Sequence, residues 1–107
     1  MISNKVLGML GISAKAGKIV SGADACIESL EKKQIFLLVI SNEASDKTKK
    51  NFKYYANKYN VPIIIYGSIE DLSRCIGKKN RAIIGVKDRN LASAIEKQII
   101  NGGDIIG

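Results

Sequence analysis

The run IFLLVI, Ile35 to Ile40, is uninterrupted apolar sequence made only of β-branched, aromatic and leucine side chains. A strand with one wet face alternates apolar and polar residues, whereas a strand apolar on both faces must be covered on both. Cover is therefore required above and below this strand, and helices are one way to supply it. A chain of 107 residues is long enough to build them, since domains of this size bury roughly two thirds of their unfolded surface around a core.

Hydrophobic spacing supplies those helices. Val6, Leu7 and Leu10 repeat helically after the capping residues Ser3 and Asn4, and this first helix should end in the Gly11 to Gly17 segment. A short strand over Lys18 to Val20 follows, then a helix starting at Ser21-Gly22 with Ala23, Ile27 and Leu30 inward and Cys26 beside them. Beyond IFLLVI, Phe52, Tyr55, Ala56 and Tyr59 form an inward stripe at i, i+3, i+4 and i+7. The segment VPIIIY reads as a strand with Pro62 at its start, where a missing N–H matters least.

SIEDLSRCIG is a short helix capped by Ser68 with Asp71 three residues on, and Gly77 is its stop. AIIGV is a fourth strand, and Asp88 caps a last helix carrying Leu91, Ala94, Ile95 and Ile99. Helices alternating with four short strands predict an α/β fold, a three-layer α/β/α sandwich. With no repeat, linker or low-complexity segment, residues 1–107 read as a single domain, and residues 101–107 as a loose tail. Strand order does not follow from periodicity.

Charge narrows the partners. Seventeen Lys and Arg against ten Asp and Glu leave +7, which concentrates polyanions near a small protein and puts nucleic acid first. No apolar run reaches the roughly 18 residues a membrane helix needs, and no leader pattern opens the chain, so a cytoplasmic protein without a membrane partner is expected. Cys26 and Cys75 stand far apart without a CxxC and there is no His, so two buried free thiols are expected rather than a disulfide or a metal site.

Enzyme chemistry finds little support. The usual near-neutral base is missing with His, no GxSxG elbow occurs, and the adjacent Glu70-Asp71 suit the first turn of their helix better than paired catalysis. GISAKAGKI, Gly11 to Ile19, resembles a phosphate loop. However, five residues separate its glycines where four are needed, and Ile19 stands where a magnesium-binding hydroxyl should be. No catalytic residue and no cofactor are expected.

Two features point to a binding surface. A helix starting at Ser21-Gly22-Ala23-Asp24 offers free backbone N–H groups and a positive dipole end. Ser21 and Asp24 also have capping-box spacing, which would satisfy those donors internally. The lysines at 47, 49, 50, 53 and 58 read as a solvated helix face. Arg74, Lys78, Lys79, Arg81, Lys87 and Arg89 surround the loop GKKNR, where backbone and side chains can both reach phosphate. An RNP-type aromatic signature is absent, and Phe36 reads as core.

LGMLGISAKAGKIVSGADAC, NEASDKTKKN, NVPIII and LSRCIGKKNRAIIGV, in this order, resemble the bacterial YlxQ-type branch of the ribosomal-protein superfamily named for large-subunit proteins seven-Ae and thirty-e. The resemblance spans nearly the whole chain and implies a thirty-e-like sandwich with a mixed four-stranded sheet. It also implies binding of structured RNA, typically the bent kink-turn, at the start of the second helix and the loop before the last strand. Of the family motif Gly-x-Asn-Glu-x-x-Lys, Gly22 matches, while Asp24 replaces Asn, Ala25 replaces Glu and Glu28 replaces Lys; a basic residue, Lys32, stands one turn further on.

The residues expected to meet RNA are Lys18, Gly22, Ala23, Asp24, Ala25, Lys32, Gly77, Lys78, Lys79 and Arg81. The expected protein is a monomer that binds structured RNA, with ribosomal RNA and the ribosome among its partners. A protein-interaction module of the translation machinery is the alternative, motivated by the acidic Asp24 and Glu28. A nucleotide-binding enzyme is a third reading, opposed by the failed phosphate loop.

Overall fold

The computed structural model describes residues 4–100. Five helices, α1 Lys5–Lys15, α2 Ala23–Glu31, α3 Asp46–Tyr59, α4 Ile69–Cys75 and α5 Arg89–Ile100, alternate with four strands, β1 Ile19–Ser21, β2 Leu37–Ile40, β3 Ile63–Ile65 and β4 Ile83–Val86. The elements are those the spacing predicts, with ends moved by a residue or two. β1 begins at Ile19 rather than Lys18, and Gly11 to Lys15 lie inside α1, so the phosphate-loop-like segment is mostly helix.

Local chemistry sets the helix starts. The Asn4 side chain accepts from the Leu7 N–H, Ser45 from Thr48, Ser68 from Asp71 and Asp88 from Leu91, each satisfying an amide that the first turn leaves open. Asn60 ends α3 in the left-handed conformation, which Asn tolerates better than most side chains. Ser3 and the 101–107 tail lie outside the described residues.

The sheet has the order β1-β4-β2-β3 and is mixed: β4 runs antiparallel to both neighbours, and β2 and β3 are parallel. In consequence β1, β2 and β3 share one direction, and their carboxyl ends meet the amino end of β4. All four residues of β2 are buried, as an apolar strand covered on both faces requires. Leu37 and Val39 face a core with Val6, Leu10, Leu72, Ile84, Val86 and Ile95, which places α1, α4 and α5 on one side. Leu38 and Ile40 face Cys26, Leu30, Phe52, Ala56 and Ile83, with α2 and α3 on the other.

Three inward assignments change. Ala23 and Ala94 are exposed, and Cys26 and Ala92 take the buried positions on their helices. An alanine fits either side of a helix, so periodicity through it phases the face poorly. Cys75 is half-buried rather than buried, and its thiol donates to the Leu72 carbonyl at 3.1 Å. Phe36 is half-buried against the first core, and its outer ring face carries the Arg89 guanidinium 4.7 Å from the centroid.

Candidate nucleic-acid interface

The carboxyl ends of β1, β2 and β3 lead directly to the starts of α2, α3 and α4. This is the end of an α/β sheet where ligands usually sit, because strand ends and helix N-termini converge there. Ser21, the last residue of β1, is paired with Ile84. Next, the Gly22 N–H donates to the Ile83 carbonyl at 2.9 Å and its backbone takes φ 94, ψ 155. That region is open essentially to glycine alone.

Gly22 is the N-cap of α2, and among the described residues no side chain caps the helix. The Ser21/Asp24 capping box is therefore not formed. It would need Ser21 as N-cap, but strand pairing retains Ser21 and moves the helix start one residue on. The first intrahelical bond runs from the Cys26 N–H to the Gly22 carbonyl, leaving the amides ahead of it without helical acceptors.

Against this helix start lies the loop between α4 and β4. Gly77 and Asn80 turn it through positive φ, 72 and 56. Its anchor is Ser73, which is 4% exposed. The Ser73 hydroxyl accepts from the Arg81 N–H at 2.7 Å and contacts the Arg81 carbonyl at 3.2 Å, and the Ser73 carbonyl accepts from the Lys78 N–H at 2.9 Å. Both ends of KKNR are thus fixed to one helical residue. Sequence reasoning missed Ser73; its only signal is a serine beside the inward pair Leu72 and Ile76.

So held, the Arg81 side chain crosses to α2. A Cβ on Gly22 would stand 3.3 Å from the Arg81 Nη1, and the Arg81 Nε is buried with no hydrogen-bond partner among the described residues. Arg81 and Lys78 also line a cavity of about 390 Å³ with Ser21, Ile19, Ala14 and Ile76. A guanidinium beside uncapped helix amides forms a concentrated donor site for anionic oxygen. Lys79 is exposed on the next groove, with Glu43, Glu70 and Arg74.

The expected site residues do not all gather here. Gly22, Ala23, Asp24, Ala25, Lys78 and Arg81 do, with Gly77 and Lys79 on the same loop. Lys18 lies four residues before Gly22, at the other end of β1, where its carbonyl accepts from the Lys87 N–H at 2.7 Å. Lys32 is the C-cap at the far end of α2, pairs with Glu28 at 3.5 Å, and stands about 15 Å of helix away.

The thiols are inert at neutral pH. Burial pushes Cys26 up to about 12, and burial together with the nearby Asp71 charge pushes Cys75 up to about 11. Among the described residues no three His, Cys, Asp or Glu side chains form a metal-binding group, and no helix is long and apolar enough to cross a membrane.

Comparison with known proteins agrees with this architecture. The chain is 32% identical over 87 residues to the RNA-binding protein YlxQ of Bacillus subtilis strain 168, an alignment covering 81% of this chain and 87% of that one. It is 29% identical over 98 residues to the RNA-binding protein YlxQ of Enterococcus faecium, covering 92% and 93%. Among solved structures, a protein of unknown function from Bacillus halodurans superposes with a TM-score of 0.88 at 30% identity, over 92% of this chain and 99% of that one. A Giardia lamblia 15.5kD RNA binding protein shares the fold, with a TM-score of 0.74 at 15% identity over 92% and 88%. The model of the ribosomal protein L7Ae/L30e/S12e/Gadd45 family matches residues 4–96, and to that family this chain belongs.

Proposed function

We propose that this chain is a non-enzymatic RNA-binding protein that receives structured RNA at the start of α2 and the Gly77 to Ala82 loop. The observation that carries the reading is the Arg81 guanidinium lying against Gly22 beside an uncapped helix start, with its Nε buried and without a partner among the described residues. The basic loop, the net charge of +7 and the names of the two YlxQ relatives support it. Folded RNA with a bent backbone, the kink-turn among its forms, fits a concave donor site better than a straight duplex does. Asp24, exposed at the helix start, is an acceptor for a guanine edge. The protein acts as a cytoplasmic monomer, with ribosomal RNA in its target class.

The test is binding to a kink-turn duplex and to a plain duplex over a salt series. Binding that weakens steeply with salt and prefers the kink-turn by about tenfold, equivalent to about 1.4 kcal/mol, is the expected result. No binding to either RNA at low salt rejects the proposal. A second reading, a protein-interaction module, is favoured by the exposed carboxylates of Asp24 and Glu28. Partners that survive nuclease treatment in a pull-down would support it.

A further inference from the structure

From the outer face of α3 we infer a second RNA surface, one that takes a single-stranded segment flanking the structured RNA; this rests on the proposed function. Helical spacing puts Lys47, Lys50, Tyr54 and Lys58 along one exposed face, with Lys53 at its border. Sequence periodicity assigns these lysines to solvent, but two structural facts go further.

The first is the electrostatics. Lys47, Lys50 and Lys53 make no ion pair among the described residues; of the acids flanking them in the chain, Asp46 sits in the first turn of α3 and the Glu43 carboxylate accepts from the Ile69 N–H at 2.9 Å. Lys49 is set apart: its ammonium donates to the Asn42 carbonyl at 2.8 Å and does not join the face. Lys58 lies over the Tyr59 ring, 5.3 Å from its centroid.

The second is Tyr54, which is 61% exposed in the middle of these charges. Its ring packs edge-on against Tyr55, centroids 5.5 Å apart, and Tyr55 packs in turn on the buried Phe52 at 5.7 Å. An aromatic chain from the core thus holds an exposed ring in place. Lysines that track a backbone around a fixed aromatic platform are the physical requirement for single-stranded nucleic acid, whose unstacked bases have a free face. A duplex offers no such face.

The surface continues from the first site. The Ser41 N–H donates to the carbonyl of Ala82, the residue after Arg81, at 2.8 Å, and α3 begins five residues later on the same side of the sheet as α2. The amino end of this basic face therefore starts at the end of the sheet that holds the Gly22–Arg81 site.

The experiment compares a kink-turn RNA alone, the same RNA with a single-stranded uridine overhang of about ten nucleotides, and the same RNA with an equally long duplex extension. The overhang should tighten wild-type binding by about tenfold and the duplex extension should not. The K47A/K50A/K53A variant should lose that gain and about 2 from the salt slope. Tyr54→Ala should lose at least about fivefold while Tyr54→Phe keeps the gain. Arg81→Ala should weaken all three RNAs alike.

No gain from the overhang, an equal gain from the duplex extension, or an unaffected lysine variant overturns the inference and leaves the first site standing. Should wild type bind no structured RNA, the proposed function fails. Free oligouridine then decides the α3 face by itself: binding lost in the lysine variant and kept in Arg81→Ala supports it, and no binding overturns it.

Discussion

The Arg81 guanidinium occupies the space beside Gly22 that a side chain there would need, with Nη1 3.3 Å from the position of a Cβ. One contact thereby joins a helix start and a basic loop that lie far apart in the chain.

Gly22→Ala should disturb both partners. The new residue is forced into φ 94, ψ 155 and presses on Arg81. A loss of about 1–3 kcal/mol is expected from the backbone conformation. Urea unfolding measures it, and an unchanged midpoint would show that the α2 start relaxes freely.

Ser73→Ala removes the clamp under the loop. The Arg81 N–H loses its acceptor in a part-buried site, at a cost of about 1–3 kcal/mol. Amide exchange should accelerate at Arg81, whereas Lys78, bonded to the Ser73 carbonyl, keeps its partner. Unchanged exchange at Arg81 would mean that the loop is held by other contacts.

Replacing Lys78, Lys79 and Arg81 by Ala should weaken binding to a structured RNA without an overhang and lower the salt slope by about 2 to 3. Changing Lys49 and Lys53 should do less, since Lys49 is engaged with the Asn42 carbonyl. Binding titrations over salt compare the two sets, and equal losses would move the interface away from the loop.

Both thiols have folded pKa values above the ordinary thiol value, about 12 for Cys26 and about 11 for Cys75. Their contribution to stability is complete below the unfolded thiol pKa and is lost as pH rises through the folded values, because the unfolded chain ionises first. Between pH 9 and its folded value Cys26 should lower stability by up to about 1.4 kcal/mol per pH unit, and the half-buried Cys75 should add less. Urea midpoints of wild type and Cys26→Ala over this window should show the shallower fall in the variant. Parallel curves would contradict the assignment.

The sequence by itself determined the element order and the layers. IFLLVI demands cover on both faces, and Asn4, Ser45, Ser68 and Asp88 act through amides only a few residues away. Such effects are local, so chain order carries them. It also located the loop KKNR and the glycine that begins α2, both of which belong to the candidate site.

Only the tertiary structure decided that β4 inserts between β1 and β2, because pairing is a contest among strands that resemble one another in sequence. That insertion brings Ile83 to Gly22 and Arg81 with it. It also holds Ser21 in the sheet, and so prevents the capping box that local spacing favours. Lys18 and Lys32 fall at the opposite end for the same reason: strand and helix lengths, rather than nearness in sequence, set which charges meet.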